Sequence, residues 1–321
     1  MLLSISFITF GILLIWVSSE RLEKYSVASS KKLGISPFLI GSTVIAFGTS
    51  SPEIFTSFFA AIENKGSMVI GNVIGSNVAN LSLVFGSTVL ILSFRKQKVF
   101  FKDLDSTNLI ILLISTFLVI GIIIFRPFSL LSSSVLLIGL IVTISYWYHG
   151  NISSFHVDEE EKEKESKFVF LKLIFSIIVL IAAAWLITQG ALNILLELQL
   201  GELFVGYTVL AIGTSLPEIA ASLALALKGR LEAVAGTLIG SNIFNGLFVL
   251  AIPGLMNREN IMSLGWNASD WFILLGVLLA TTVLFAFYLA YAKERPRMSS
   301  MTLGLVFLSI YFLSLEFAFK L

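Results

Sequence analysis

Residues 45–57 read IAFGTSSPEIFTS and residues 210–222 read LAIGTSLPEIAAS. Each stretch sets a glycine, hydroxyl side chains, a proline and a glutamate inside an otherwise apolar run. In a bilayer a charged side chain at mid-depth costs about 2.5–3.5 kcal/mol on insertion scales, and acids retained there usually face a functional pathway. Glu53 and Glu218 are therefore the residues around which the rest of the chain has to be read.

The surrounding composition makes the bilayer the natural setting. The chain has 321 residues, 57% of them hydrophobic and 13% charged, against about 25% charged in soluble domains. The apolar residues gather in runs of roughly 18 to 25, the length that crosses a hydrocarbon core as helix. This predicts an all-α polytopic membrane protein with ten spans, near residues 2–18, 36–62, 67–93, 107–125, 128–148, 168–192, 203–227, 232–254, 269–291 and 300–319. The first run lacks a basic leader and a small-residue cleavage site, so it reads as a span and not as a signal peptide. The chain has no cysteine, which excludes disulfides and thiolate chemistry. No phosphate loop, nucleophile–base pair or basic nucleic-acid face is present. An enzyme, a resident cofactor, a nucleic-acid partner and an obligate protein partner are accordingly not expected; membrane lipids are.

One long polar insertion, residues 151–167, mixes Asp and Glu with Lys and reads as a solvated linker. Four of the 21 Lys and Arg (Lys65, Arg126, Arg258 and Lys320) fall on one side of the ten spans and the remainder on the other. The positive side stays cytoplasmic, which puts both termini outside and the linker inside. The short loops suggest a prokaryotic inner membrane. His149 and His156 fall at or beyond a helix end and read as solvated, Glu316 as an acid near the end of the last span, and Asp270 as a first-turn residue of the ninth.

The chain is also a duplication. Residues 41–57 and 206–222 match at 11 of 17 positions, and residues 71–80 (GNVIGSNVAN) and 236–245 (GTLIGSNIFN) at six of ten, all with one offset of 165. Five spans per copy is an odd number, so the copies face opposite ways, the inverted repeat of many secondary transporters. The units are 1–150, the linker 151–167, and 168–321, with the glutamate segments at the midplane.

Each proline should break its helix. Pro52 lacks an N–H and clashes with the carbonyl at Gly48, while Thr49 and Ser50 can cap the restarted helix with Pro52 in its first turn. Carbonyls from Ala46 to Thr49, and from Ala211 to Thr214, should then be released into a cavity, because broken backbone at membrane depth is tolerated where it lines one. No Lys or Arg lies deep in a span to neutralise either acid, so the glutamates are protonated or bind cations. Two carboxylates with the Thr49 and Thr214 oxygens form an oxygen-only cage suited to a hard cation such as Ca²⁺. Two negative charges balance one divalent or two monovalent ions, which makes those states competitors. In the companion segments Ser76 and Asn80, and Ser241 and Asn245, share helix faces and read as further ligands; Gly71 and Gly236 read as packing.

GTSSPE with GSNVAN, and GTSLPE with GSNIFN, resemble the two alpha repeats of the cation/calcium exchanger superfamily, closest to its prokaryotic sodium/calcium exchangers. The resemblance implies a Ca²⁺ site of Glu53, Glu218, Thr49 and Thr214. It implies flanking Na⁺ sites drawing on Glu53 and Glu218, the carbonyls of Ala46 and Ala211, and Ser50, Ser215, Ser76 and Ser241, with Asn80 and Asn245 at the centre. It also implies alternating access in which the first and sixth helices slide across a stationary bundle. Some relatives carry Asp at the position of Asn245, a pattern of the potassium-dependent branch; Asn here removes an anionic ligand and predicts no K⁺ cotransport. The alternatives are H⁺/Ca²⁺ exchange within the same superfamily, a passive cation channel, and a non-transporting scaffold.

Overall fold

The computed structural model describes residues 2–33, 39, 41–96, 105–151, 169–256, 271–291 and 297–319. The linker beyond Asn151, with His156, and Asp270 lie outside the described residues. Every regular element among the described residues is helical. In the first half these are α1 (Leu2–Leu33), a π-helical turn Gly41–Ile45, α2 (Ala46–Thr49), α3 (Ser51–Ile62), α4 (Gly66–Ala79), a second π turn Asn80–Val84, α5 (Phe85–Phe94), α6 (Ser106–Phe125) and α7 (Leu130–Asn151). The second half contains α8 (Val169–Leu198), α9 (Glu202–Val205), a π turn Gly206–Leu210, α10 (Ala211–Thr214), α11 (Leu216–Leu227) and α12 (Leu231–Leu247). It closes with a 3₁₀ turn Val249–Ala251, α13 (Ile252–Leu255), α14 (Phe272–Tyr291) and α15 (Arg297–Phe319).

Seven rods among the described residues are long and apolar enough to cross a bilayer: Gly66–Phe94, Ser106–Phe125, Leu130–His149, Glu202–Leu227, Leu231–Leu255, Phe272–Tyr291 and Ser299–Phe319. Two expected ends move. α1 continues to Leu33 and α8 to Leu198, where hydropathy ended the spans near 18 and 192. The stretch after Val17, SSERLEKYSVASSKKL, holds no Gly or Pro, so nothing stops the helix when its apolar content runs out.

The polarity of the molecule is turned outward-in. Large apolar side chains such as Ile114, Phe117, Val142 and Leu171 are more than half exposed, while Glu53, Glu218, Asn80 and Asn245 have no exposed surface. That arrangement suits an apolar solvent around the protein and a polar interior within it. In the apolar 18-residue window of Leu231–Leu255 89% is buried, and in that of Ser299–Phe319 only 28%, which separates central helices from peripheral ones.

The centre is assembled by paired close approaches. A Cβ on Gly75 would lie 2.7 Å from the Tyr207 carbonyl and 2.7 Å from Ala211 Cβ; on Gly240 it would lie 2.4 Å from the Ser42 carbonyl and 2.7 Å from Ala46 Cβ. A Cβ on Gly41 would meet the Ala233 carbonyl, and on Gly206 the Met68 carbonyl, at 2.5 and 2.3 Å. Each contact has its twin 165 residues along. The expectation that Gly71 serves packing agrees with its approach to the Leu203 carbonyl, 2.5 Å from a built Cβ. The turns joining α3 to α4 and α11 to α12 also match, with Asn64 at φ 58° and Gly229 at φ 73°, left-handed positions that Gly and Asn accept.

α1 and α8 run antiparallel, with Gly11 against Ile187 and Gly190 against Ile8. Each packs on the other half's broken helix, α8 on α3 and α1 on α11.

Candidate cation site

Glu53 and Glu218 stand in the first turns of α3 and α11, directly after Pro52 and Pro217 at their N-termini. The interruptions lie at Ser50 (φ −81°, ψ 0°) and Ser215 (φ −81°, ψ 1°), where the α ladder stops and restarts. The prolines need no N–H at these positions, so each restart is cheap.

Three expectations about these breaks require correction. Neither Ser50 nor Ser215 caps the restarted helix with its side chain. The Ser50 hydroxyl instead reaches across to the other half and donates to Glu218 Oε1 at 3.4 Å, because a charged acceptor outcompetes a neutral cap. Thr49 does not cap α3 either: its Oγ1 donates back to the Ile45 carbonyl at 3.1 Å and lies 3.3 Å from the Ala46 carbonyl. The carbonyls of Ala46 and Ala211 are not released, since they accept Ser50 N–H at 2.9 Å and Ser215 N–H at 3.0 Å. The proline removes a donor from the carbonyls four residues before it, Gly48 and Gly213, and not from these two. A carbonyl oxygen has two lone pairs; the Ala46 oxygen also has Thr49 Oγ1 at 3.3 Å, while the Ala211 oxygen keeps a second acceptor direction.

The structure brings the two halves' site residues together. The Glu53 carboxylate has Thr214 and Ser76 beside it and feels the charge of Glu218; around Glu218 stand Thr49, Ser50 and Ser241. Thr49 Oγ1 is 3.4 Å from Ser241 Oγ. Thr214 Oγ1 donates to the Leu210 carbonyl at 2.9 Å, as Thr49 Oγ1 does to the Ile45 carbonyl. Thr49, Ser50, Ser76, Thr214, Ser215 and Ser241 have no exposed surface.

Nine polar atoms of the motif residues have no hydrogen-bond partner among the described residues: both oxygens of Glu53, Glu218 Oε2, Ser76 Oγ, Ser215 Oγ, and both amide atoms of Asn80 and of Asn245. At about 1–3 kcal/mol for each buried group left unsatisfied, such a concentration costs on the order of a domain's whole stability, about 5–15 kcal/mol. Other such atoms lie elsewhere among the described residues, Ser133 Oγ and Asn242 Oδ1 among them; what distinguishes this group is the two carboxylates, where a charged guest would be held. Its donors are two carboxylates with hydroxyl and amide oxygens, a hard set. No cluster of three or more His, Cys, Asp or Glu occurs among the described residues, so neutral oxygens must complete any coordination shell.

Sequence reasoning overlooked Asn77 and Asn242, the twins inside the GSN motifs, both nearly fully buried. Asn77 Nδ2 donates to the Asn242 carbonyl at 3.2 Å, tying α4 to α12. Their identity in both copies was the available signal. It also overlooked the π turns that enter the site from Gly41, Asn80 and Gly206; such turns widen a helix and occur often at functional sites. Outside the cluster His149 is exposed, with Nδ1 2.8 Å from the Ser145 carbonyl, and Glu316 is exposed on α15.

The chain as a whole is similar to known proteins. A family model described as sodium/calcium exchanger protein matches residues 3–148 and 168–320. The membrane protein MJ0091 of Methanocaldococcus jannaschii, described as uncharacterized, is 30% identical over 319 residues, covering 98% of each chain. The putative antiporter CaxA of Alkalimonas amylolytica is 29% identical over 284 residues, 87% of this chain and 89% of its own. Among solved structures, the sodium-calcium exchanger NCX_Mj superimposes with a TM-score of 0.73 at 28% identity, covering 98% of both chains.

Proposed function

The chain belongs to the sodium/calcium exchanger protein family, and from that premise we propose that it is a secondary antiporter that exchanges Ca²⁺ for Na⁺ by alternating access. The observation that carries this reading is the set of nine unpartnered buried atoms around two carboxylates drawn from both halves. In the Ca²⁺-bound state Glu53, Glu218, Thr49 and Thr214 hold the ion. In the Na⁺-bound state the same carboxylates are shared among monovalent ions, with Ser50, Ser76, Ser215 and Ser241 and the Ala46 and Ala211 carbonyls. Asn80 and Asn245 lie at the centre and contribute amide oxygens without charge, which leaves K⁺ cotransport outside the reaction.

The architecture in this reading is ten spans in two inverted units, residues 1–150 and 168–321, joined by a cytoplasmic linker in a prokaryotic inner membrane with both termini outside. The twin contacts at an offset of 165 support the inversion, as does the crossed packing of α1 on α11 and α8 on α3. α1 and α8 slide across the remaining helices and expose the site to one side and then the other.

Proton coupling is the second reading, favoured by two fully buried carboxylates with no Lys or Arg among the partners seen at either, since such a pair can take protons in place of a metal. The test is uptake of radiolabelled Ca²⁺ into proteoliposomes loaded with Na⁺, without and with a pH gradient. Uptake that follows the Na⁺ gradient is the expected result. Uptake that ignores Na⁺ and follows pH assigns the protein to proton exchange, and Ca²⁺ currents without a trans ion assign it to a channel.

A further inference from the structure

The polar face of α3 does not end at Glu53. One turn on stand Thr56 and Ser57, and opposite them on α4 stands Asn72, one turn from Ser76; all three lack exposed surface. Asn72 Nδ2 donates to Ser57 Oγ at 3.0 Å, to Thr56 Oγ1 at 3.2 Å, and approaches the Glu53 main-chain carbonyl at 3.5 Å. Thr56 Oγ1 donates to the same carbonyl at 3.2 Å. The result is a bracket between α3 and α4, one helical turn from the Glu53 carboxylate and fastened to the peptide that carries it.

Among the described residues the second half has no such bracket. The positions equivalent to Thr56, Ser57 and Asn72 are Ala221, Ser222 and Thr237. Ala221 has no hydroxyl. Thr237 Oγ1 turns back on its own helix to the Ala233 carbonyl at 2.9 Å. Ser222 Oγ is buried and has no partner among the described residues. Among the described residues none of these three positions joins α11 to α12 by a side-chain hydrogen bond, while α3 and α4 are joined by the Asn72 amide, whose two N–H groups reach Ser57 Oγ and Thr56 Oγ1.

We propose that Asn72 is a positioning residue that locks α3 to α4, so that Glu53 and Ser76 act as a fixed half of the cation site while Glu218 and Ser241 adjust to the ion. Asn72 is a turn away from the ion and acts through the Glu53 backbone. A fixed carboxylate opposite an adjustable one lets a single cage serve one divalent ion and several smaller charges without rebuilding both walls. This rests on the exchange reading above, and its test separates the two.

The direct variant is Asn72→Thr, which gives the first half the residue of the second. The lock predicts amide hydrogen exchange in residues 53–60 faster by about tenfold, the order expected for losing a buried hydrogen-bonded bracket, with exchange in residues 218–225 unchanged. That measurement does not depend on transport. In flux, N72T should raise the KM for Ca²⁺ by about fivefold to tenfold with maximal rate within about twofold, and Asn72→Asp, which retains an acceptor but no amide donor, should not rescue it. The transplant Ala221→Thr with Thr237→Asn should protect residues 218–225 and slow turnover. Unchanged exchange in residues 53–60, or an unchanged KM in a variant whose wild type transports Ca²⁺, overturns the lock. A wild type without Ca²⁺ flux overturns the exchange reading and leaves the hydrogen-exchange result to decide the lock.

Discussion

Around Glu53 and around Glu218 the chain uses the same core, GTSSPE and GTSLPE, and surrounds it differently. Ser50 donates to Glu218 Oε1, while Ser215 Oγ and both oxygens of Glu53 have no partner among the described residues. α4 passes into a π turn at Asn80; at the equivalent Asn245 the helix runs on to Leu247 and distorts into a 3₁₀ turn followed by Pro253. Lys65 pairs with Glu202 at 3.1 Å, and the sequence position 165 residues before Glu202 is Pro37, not an acid. Duplication supplies the same donors twice. The divergent neighbours decide how firmly each copy is held, and an exchanger has use for one wall that stays and one that yields.

The largest test of that comparison removes the shared feature. Glu53→Gln and Glu218→Gln should each lower Ca²⁺ flux by about 100-fold or more, beyond the 10–100-fold typical of losing a supporting residue at a metal site, with the folded protein retained on gel filtration. A variant with wild-type flux would remove that glutamate from the site. The next test separates the two serines at the breaks. Ser50→Ala removes a donor from Glu218 and should weaken apparent Ca²⁺ affinity by about threefold to tenfold; Ser215→Ala should change Na⁺ dependence more than Ca²⁺ affinity. Equal effects in flux titrations would mean that the cross-half bond carries nothing.

Packing gives a third, smaller effect. Gly240→Ala presses a methyl onto the Ser42 carbonyl, 2.4 Å away, and Gly75→Ala onto the Tyr207 carbonyl, 2.7 Å away. Each should cost about 1–3 kcal/mol of stability, with Gly240→Ala the worse. Gly121→Ala, whose added carbon meets nothing within 4 Å, should melt like the wild type in thermal unfolding in detergent. The smallest effect belongs to Lys65→Met: a partly exposed ion pair is worth about 0–1 kcal/mol, and a larger loss of thermal stability would mark this contact as a clamp.

Much of the site was legible because its chemistry is local and repeated. A glutamate after a proline in an apolar run, found twice at one offset, needs no structure to be singled out as a candidate site. The rest depends on contacts between distant residues. The π turn at Gly41 lies where the backbone meets the Ala233 carbonyl, 192 residues away in the chain. Asn72 gains its meaning from the register of α4 on α3, which the left-handed turn at Asn64 sets. The capping expected of Thr49 and Ser50 failed for the same reason: the competing acceptor of Ser50 is Glu218, in the other half of the molecule. α1 outran its expected end because hydropathy reports the apolar thickness crossed and not where a helix stops.

The central claim is that two glutamates from opposite halves form one site for which Ca²⁺ and Na⁺ compete. Equilibrium Ca²⁺ binding to the purified protein, titrated with Na⁺, tests it directly. The account predicts saturable Ca²⁺ binding that is displaced by Na⁺ more steeply than first order and is lost in both Glu53→Gln and Glu218→Gln. Ca²⁺ binding that survives in either variant, or that Na⁺ fails to displace, would contradict it.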